Sequence, residues 1–397
     1  MAKRILIYTN HFYPEQFKVN EIVEWLSNKN SHIRVITGLP NYPLGKIIRG
    51  YSNIFKDNVV INRLFLIPRG NGSNLMLIIN YISYFISCLF FTIYISIFKK
   101  KYDVIFVHHT SPIFIAFHPL IYSVFNKSKI ILWDLDIWPE SLKAVNFLKS
   151  RIVFSIIEKF VRWIYSKYEY ILVGSRSLVN IVKNRFEGKV IYFPNWADKV
   201  IENNKIDNNY TFPINNEKFN IIYTGNIGKA QDFERLLITI ELVEESIHWT
   251  FVGGGRFKSK FKKLIETKKL NHKVTIIDQV NISLIPTIAN KADSLFLSLK
   301  NDELFSRTVP AKLQSYMALG KPIIGVLKGE GQRLILESNS GVVEENYNYV
   351  ELAKKINSFA SKSKAELIEQ GNNAKKYYYE NFSSQIRKRE ILNLIYE

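Results

Sequence analysis

The apolar residues of this chain occur in short, unbroken runs. Examples are V-I-F-V at residues 104–107, K-I-I-L-W at 129–133 and Y-I-L-V at 170–173. Strands that are buried on both faces have such runs, whereas a strand with one solvated face alternates apolar and polar residues. Strand and helix patterns alternate to the end of the chain, without a short internal repeat. The pattern therefore predicts an α/β protein with parallel sheets.

The length of the chain and one polar stretch predict two domains. A chain of 397 residues is too long for a single core. Residues 198–218 are rich in Asn, Asp and Lys, which favours a linker. We therefore expect domains at 1–200 and 201–382, followed by a last helix at 383–397.

The stretch from Phe305 to Pro322 predicts a short helix with an anion site. The pair Val309-Pro310 favours an extended residue and then a helix start, and Gly320 stands where a left-handed residue would end the helix. Lys312 falls in the first turn, beside amides that have no partner within the helix. That combination binds anions such as phosphate. The alternative is a short amphipathic helix that carries one lysine.

Two glycine loops follow predicted strands in the same half of the chain. The strand at 219–223 precedes Gly225 to Gly228, and the strand at 249–252 precedes Gly253 to Gly255. A helix is predicted at 231–245, after the first loop. Strand, glycine loop and helix in this order let backbone amides approach a phosphate without a Cβ in the way.

The segment from Leu75 to Phe98 carries no charged residue and is followed by three lysines. Its length permits a membrane-spanning helix, but it stands between strands of one predicted sheet. Three interpretations stay open: a span, a plain core helix, and a helix that covers the sheet and exposes an apolar stripe to lipid. We favour the third, with the lysines near anionic headgroups.

The charge and cysteine content narrow the choice of partners and compartment. Lys and Arg number 54 against 35 Asp and Glu, an excess of 19 positive charges. An anionic membrane surface and nucleic acid both fit such a surface, but no aromatic-interleaved basic run or helix-turn-helix pattern supports nucleic acid. The single Cys88 excludes an intrachain disulfide and fits a reducing compartment. No secretion signal is visible, so we expect a cytoplasmic location.

Several motifs together resemble a known family. The runs Y-T-G-N-I-G-K-A-Q, V-G-G-G and T-V-P-A-K-L-Q-S-Y-M-A-L-G-K-P-I-I-G are similar to the C-terminal half of bacterial family 4 glycosyltransferases. The runs N-H-F-Y-P-E-Q-F, D-I-W-P-E-S and F-P-N-W-A-D resemble the N-terminal half. The resemblance is closest to the subset that builds O-antigen, colanic acid and capsule chains, which includes N-acetyl-L-fucosamine transferases.

The resemblance implies a fold and a reaction. The fold is GT-B, with two Rossmann-like domains whose parallel sheets face a central cleft and a final helix that returns to the N-terminal domain. The reaction is transfer of a sugar, with retention, from a nucleoside diphosphate sugar to a polyprenyl-diphosphate-linked saccharide. We expect a UDP-linked N-acetylamino sugar, no cofactor, and peripheral attachment to the inner face of the cell membrane.

The resemblance and the motifs also predict the site residues. The candidates are, for catalysis, Asp136, Arg307 and Lys312; for donor binding, Gly225, Asn226, Gly228, Gln231, Gly254, Pro310 and Ser315; and for acceptor binding, Gln16, Asn20 and Asn41. Arg307 and Ser315 stand where most of the family has glutamates, and Asn226 and Gln231 replace a basic phosphate clamp. We predict no metal. Asp134 and Asp136 are alternate residues at one strand end and face the same side, so a Mg²⁺ site there stays an alternative.

Two other classes of function remain as alternatives. A UDP-sugar 2-epimerase of GT-B fold would use cleft carboxylates and histidines, but would not need the apolar helix at 75–98. A non-enzymatic, membrane-associated scaffold would keep that helix, but would have no use for Lys312 or the Gly225 loop.

Overall fold

The computed structural model describes residues 2–144 and 150–397. The chain divides into two compact units. The first comprises Met1–Phe193 with Lys388–Glu397, and the second Pro194–Arg387. Each unit has one sheet in which all strands are parallel, so the predicted α/β class is confirmed.

The first unit has a seven-stranded sheet in the order β3-β2-β1-β4-β5-β6-β7. The central strands are buried on both faces, and all six residues of β4 are buried. The strands are β1 (Arg4–Thr9), β2 (His32–Gly38), β3 (Val59–Leu64), β4 (Val104–His109), β5 (Lys129–Asp134), β6 (Tyr170–Val173) and β7 (Lys189–Tyr192). The helices are α1 (Val19–Ser27), α2 (Asn74–Phe98), α3 (His118–Phe125), α4 (Glu140–Ala144), α5 (Arg151–Tyr165) and α6 (Arg176–Lys183).

The second unit has a six-stranded sheet in the order β10-β9-β8-β11-β12-β13. Its strands are β8 (Phe219–Thr224), β9 (Ile247–Val252), β10 (Val274–Ile277), β11 (Ser294–Ser298), β12 (Ile323–Val326) and β13 (Gly341–Glu344). Its helices are α7 (Lys199–Asn203), α8 (Phe233–Leu242), α9 (Lys258–Thr267), α10 (Ile285–Asn290), α11 (Glu303–Arg307), α12 (Ala311–Leu319), α13 (Glu330–Glu337), α14 (Tyr349–Ala360), α15 (Lys364–Asn381) and the start of α16 (Ser384–Tyr396).

The strand orders locate a binding edge in each sheet. In both sheets the first three strands of the unit are added in one direction, and the later strands are added on the other side of the first strand. The direction reverses between β1 and β4 in the first unit and between β8 and β11 in the second. Ligands of open α/β sheets bind outside the carboxyl ends of the strands at this point.

Two stretches of the second unit differ from the prediction. The helix expected at 231–245 is α8, which is shorter, because a 3-10 turn at Lys229–Gln231 and a left-handed Asp232 (φ 54°) precede it. The expected linker contains α7, because Ile201 is buried and the carboxylate of Glu202 accepts a hydrogen bond from the Tyr378 hydroxyl at 2.6 Å. The second difference comes from a contact that is distant in sequence.

The predicted C-terminal helix is α16, and its last residues contribute to the first unit. The ammonium group of Lys3 donates to the Ile395 carbonyl at 2.7 Å, and that of Lys129 donates to the Leu394 carbonyl at 2.6 Å. Cations near the end of a helix satisfy carbonyl groups that have no partner within the helix.

Helix α2 buries several polar side chains and exposes many apolar ones. The buried side chains include Asn80, Tyr84 and Thr92, which bond to the Ile67 carbonyl, the Thr9 carbonyl and the Tyr8 hydroxyl. The outward residues are apolar, and Phe90 is 68% exposed. In the described part of the chain α2 is the one helix long and apolar enough to cross a membrane, and 22% of its most apolar window is buried.

Helix α5 extends the exposed apolar surface of α2. Ring contacts connect the two helices through Phe117. Its ring centre lies 6.1 Å from that of Phe85 in α2 and 6.1 Å from that of Trp163 in α5. We call the exposed side chains of this region the outer apolar surface; they are Ile78, Ile82, Ile86, Phe90, Ile93 and Ile97 of α2 and Ile152, Val153, Ile156 and Trp163 of α5.

Candidate active site

The two predicted glycine loops lie against each other at the carboxyl ends of β8 and β9. Gly225 has a φ of 129° and Gly253 one of 155°. A Cβ on Gly253 would lie 1.9 Å from the Gly225 carbonyl oxygen. The loops are also joined by the amide of Ile227, which donates to the Gly254 carbonyl at 2.7 Å. Only glycine permits this close approach of the two backbones.

The predicted helix with its lysine is α12, and it begins and ends as expected. Pro310 is the N-cap residue, and Gly320 is left-handed with a φ of 69°. The hydroxyl of Tyr316, which is buried, accepts from the Thr224 amide at 2.9 Å. This bond joins α12 to the end of β8 and fixes the start of the helix beside the Gly225 loop.

Lys312 of α12 extends along the Gly225 loop. A Cβ on Gly225 would lie 2.4 Å from Cε and 3.1 Å from Nζ of Lys312. The ammonium group lies 5.4 Å from the centre of the Tyr223 ring. Burial lowers the pKa of Lys312, and the lysine forms no ion pair with any described residue. A partly buried cation without a counter-charge beside a glycine loop is suited to bind an anion.

A pocket of about 390 Å³ opens beside both glycine loops. Its far side is formed by Gln279, Val280, Ile282 and Ile285. The pocket thus combines a polar backbone wall with an apolar wall, which is the usual composition of a small-molecule site.

The other predicted donor residues have different surroundings. The side chain of Gln231 is buried, and its Oε1 accepts from the Gly228 amide at 3.1 Å, so that it stabilises the loop. The side chain of Asn226 lies under Gly255, where a Cβ would be 2.6 Å from its Oδ1. Ser315 is partly exposed, and its hydroxyl donates to the Ala311 carbonyl at 3.2 Å. Their contact with a ligand stays a prediction.

Arg307 is the last residue of the short helix α11. Its guanidinium group forms an ion pair with Glu303 one turn earlier, and 35% of its side chain is exposed. The arginine therefore has a partner in the protein without ligand, and its role at a diphosphate stays a prediction.

Asp136 lies just beyond β5 in the first unit and is held by neighbours of the adjacent strand. Its carboxylate accepts from the hydroxyl of Ser111, which follows β4 and is left-handed with a φ of 65°. The indole of Trp138 donates to the same hydroxyl at 2.8 Å, and Asn10 donates to the Ser111 carbonyl at 2.7 Å. Asp136 is therefore fixed and partly exposed at the edge where the strand order reverses.

Asp134 has a different environment from Asp136. It is fully buried, and its two oxygens accept from His109 at 2.8 Å and from the hydroxyl of Tyr165. Both oxygens thus accept hydrogen bonds from buried side chains, so Asp134 does not fit a Mg²⁺ site shared with Asp136. Within residues 2–144 and 150–397, no three His, Cys, Asp or Glu side chains are grouped as a metal site.

The predicted acceptor residues belong to three neighbouring segments: Gln16 to the loop after β1, Asn20 to the first turn of α1, and Asn41 to the loop after β2. Gln16 is exposed. The side chain of Asn20 accepts from the Tyr13 amide at 3.1 Å and donates to the Glu15 carbonyl at 2.8 Å. Asn41 is buried, and its side chain donates to the Leu39 carbonyl at 2.9 Å. The two asparagines thus shape the backbone of this region, and direct contact with an acceptor stays a prediction for all three residues.

Sequence reasoning missed a cluster that joins His11 and Glu15, in the loop after β1, to Arg69, between β3 and α2. Nδ1 of His11 lies 2.8 Å from a carboxylate oxygen of Glu15, and the guanidinium group of Arg69 lies 2.9 Å from Nε2 of the same ring. Burial raises the pKa of Glu15, but the hydrogen bonds from His11, Tyr42 and Asn41 lower it more, and the resulting pKa is below the usual value. The spacing of His11 and Glu15 directly after a strand was the signal available in the sequence.

Comparison with known proteins gives one family and a consistent fold. Residues 205–377 match the family described as "Glycosyl transferases group 1". The chain is 24% identical over 338 residues to a protein of Escherichia coli (strain K12) described as a colanic acid biosynthesis glycosyl transferase, WcaI, covering 80% of this chain and 81% of that one. It is 25% identical over 236 residues to a protein of Pseudomonas aeruginosa described as a glycosyltransferase, WbjE, covering 54% and 55%.

A solved structure shares the fold over nearly the whole chain. Anabaena HepE in complex with UDP superposes with a TM-score of 0.67 at 12% identity, and 99% of each chain is covered. At this identity the likeness concerns the fold alone. Residues 205–377 are therefore similar to the group 1 glycosyl transferases, within a chain whose two parallel-sheet units have the GT-B fold.

Proposed function

We propose that the protein transfers a sugar from a nucleoside diphosphate sugar to a lipid-linked saccharide in surface polysaccharide biosynthesis, with retention at the anomeric carbon. The donor we propose is a UDP-linked N-acetylamino sugar. The relative WcaI, described as a colanic acid biosynthesis glycosyl transferase, supports the pathway class, and the UDP complex of HepE supports the nucleotide.

Lys312 is the observation on which this proposal depends. In the reaction the departing diphosphate gains negative charge, and a fixed cation in a water-poor site stabilises that charge more than a solvated one would. Lys312 is partly buried, has no counter-charge among the described residues and contacts the Gly225 loop. The diphosphate would bind at Lys312 beside the Gly225 loop, and the nucleoside would occupy the 390 Å³ pocket.

Asp136 is the proposed acceptor-side residue of the reaction. Its position at the carboxyl end of β5, fixed by Ser111, suits a group that orients an acceptor hydroxyl. The fold places no requirement on the sugar, which a few loop contacts select.

The outer apolar surface supports peripheral attachment to the inner face of the cell membrane. Its side chains point away from the core, and Lys99, Lys100 and Lys101 are exposed at the end of α2. Apolar side chains that enter the headgroup region together with lysines near anionic lipid hold a protein at a bilayer without a span. This location suits an enzyme whose acceptor is anchored in lipid.

A donor-consumption assay tests the proposal. The protein is incubated with UDP-sugars, with and without lipid extract. Consumption only with lipid supports a transferase, consumption without lipid supports a UDP-sugar 2-epimerase, and no consumption supports a scaffold.

Substitution of Lys312 by Ala tests the assignment of the diphosphate. We expect turnover to fall by roughly 10²–10³, the scale for removing one group that stabilises developing charge. The exposed Lys229, on the same loop, provides the matched control Lys229→Ala, which should change turnover little. Equal losses in both variants, or none in either, would contradict the assignment.

A further inference from the structure

Arg69, between β3 and α2, carries a charge that the protein does not neutralise. It is partly buried, and its guanidinium group lies 5.5 Å from the Tyr42 ring centre and 5.4 Å from that of Tyr81. It forms no ion pair with any described residue, and its Nε is buried without an acceptor. Buried polar groups nearly always have a hydrogen-bond partner, so the unpaired Nε of Arg69 indicates a ligand or another specific role.

A chain of hydrogen bonds holds Arg69 in place. A guanidinium group can only donate, so Nε2 of His11 accepts from Arg69, and the ring proton on Nδ1 is donated to Glu15. The other carboxylate oxygen of Glu15 accepts from the amides of Asn41 at 2.9 Å and Tyr42 at 2.7 Å. Glu15 is thus used by His11 and the backbone and does not pair with the arginine.

The surroundings indicate the chemistry of the ligand. The planar guanidinium group suits phosphate oxygens, which accept two parallel hydrogen bonds. Tyr42 is 43% exposed, and the ring of Phe17 stacks on His11 with centres 4.7 Å apart. Aromatic rings beside an unneutralised cation therefore suit a molecule that joins a saccharide to phosphate. His11 and Glu15 of the cluster follow β1, a strand at which the strand order reverses.

We propose that Arg69 binds the diphosphate at the lipid end of the acceptor, while Tyr42 contacts the adjoining sugar. This inference rests on the proposed function, because it takes the acceptor to be a lipid-linked saccharide. Helix α2 begins at Asn74, shortly after Arg69, and its outward face is apolar. The arginine is thus next to the surface that we assign to the membrane, where the phosphate of such an acceptor lies.

The same phosphate chemistry is present in the headgroups of bulk anionic lipid, and the test separates the two sources. The full-length protein is titrated with farnesyl diphosphate, with farnesol, and with phosphatidylglycerol vesicles. The variants are Arg69→Gln, Arg69→Lys and the control Arg49→Gln, an exposed arginine of the neighbouring loop. Thermal unfolding verifies that each variant is folded, and UDP binding is measured on the same samples.

We expect wild-type protein to bind farnesyl diphosphate at least tenfold more tightly than farnesol. Arg69→Gln should weaken that binding by about ten- to a hundredfold, the scale for a lost hydrogen bond to a charged group. Arg69→Lys keeps the charge but not the planar group, so its loss should be intermediate. Arg49→Gln should bind farnesyl diphosphate as the wild type does.

Three results would overturn the assignment. They are equal binding of farnesol, an unchanged affinity in folded Arg69→Gln, and a loss of vesicle binding in Arg69→Gln that exceeds the loss in Arg49→Gln. The last result would assign the phosphate to bulk lipid. Retained UDP binding in these cases limits the failure to the Arg69 site, whereas absence of UDP binding in the wild type would contradict the proposed function itself.

Discussion

Single residues acquire their chemistry from their surroundings in this protein, and the lysines illustrate it. Lys312 and Lys321 lie near opposite ends of α12. Lys321 donates to the carbonyls of Asn290 at 2.9 Å and Ala292 at 2.8 Å, so its charge supports the structure. Lys312 has no such partner among the described residues and contacts the Gly225 loop. The same residue type thus serves stability at one end of a helix and, in our proposal, ligand binding at the other.

The pKa of Lys312 predicts how UDP binding depends on pH. Burial lowers this pKa, so the lysine loses its charge at a lower pH than an exposed lysine does. UDP affinity should therefore decrease as pH rises towards the ordinary lysine pKa of about 10.4, and at a lower pH than an exposed lysine would require. Lys312→Arg should keep its affinity over this range, because guanidinium stays charged. Titrations at several pH values measure the effect, and parallel curves for the two proteins would contradict it.

Arg307 should contribute to donor binding through its planar group. Arg307→Lys should weaken donor use by about three- to tenfold, because an ammonium group does not reproduce bidentate contacts with phosphate oxygens. The ion pair with Glu303 provides the control, since Glu303→Gln removes that pair and leaves the arginine. If Arg307 had only a structural role, both substitutions would have the same effect on kcat/KM. Wild-type rates for Arg307→Lys would show that the guanidinium is only a surface charge.

At the scale of elements, the donor site depends on backbone geometry more than on side chains. The two glycine loops approach each other as only glycine allows, and Tyr316 holds the start of α12 beside them. Local sequence predicted each of these elements. Their mutual contact required the order of β8 and β9 in the sheet.

Substitution of Gly225 should therefore damage the site directly. In Gly225→Ala the new Cβ would lie 2.4 Å from Cε of Lys312. The φ of 129° at this position is one that residues other than glycine rarely adopt. We expect UDP affinity to fall at least tenfold, with a stability loss of about 1–3 kcal/mol from backbone strain. The control Gly50→Ala also has a positive φ, 76°, but no neighbour within 4 Å. It should lose stability only, and an equal loss of UDP affinity in both would contradict this account.

At the scale of the whole molecule, the charge and the outer apolar surface together predict a protein that binds membranes. The excess of 19 positive charges favours anionic surfaces at long range, and the apolar side chains of α2 and α5 provide buried contact. Salt screens the first contribution and not the second, so high salt should release part of the protein and detergent the rest.

Substitution of the outward side chains tests the membrane surface. Replacing Phe90 and Ile97 by Ser should shift the protein to the soluble fraction, with vesicle affinity weakened tenfold or more, since burial of one such side chain contributes about 1.5–3 kcal/mol. The matched control replaces Leu242 and Ile368, which are 51% and 63% exposed in the second unit. It should leave vesicle binding unchanged. Protease access to Lys99–Lys101 only from the side opposite the N-terminus would instead indicate a span.

The sequence by itself determined the parts of this protein that depend on local pattern. Unbroken apolar runs predicted the parallel strands, and Pro310 and Gly320 predicted the bounds of α12, because burial on both faces and backbone dihedrals restrict the residues at those positions. The glycine loops were found for the same reason.

Only the tertiary structure decided which hydrogen bonds the polar side chains make. The side chains of Asn20, Asn41 and Gln231 bond backbone groups of nearby residues, and their contact with substrate stays a prediction. The cluster of His11, Glu15 and Arg69 joins segments far apart in the chain, and no local pattern relates an arginine before α2 to a histidine after β1. The buried polar side chains of α2 likewise depend on partners outside the helix, such as Tyr8 of β1 for Thr92. Hydrogen bonds of this kind are set by which strands and helices become neighbours, and that information is not local.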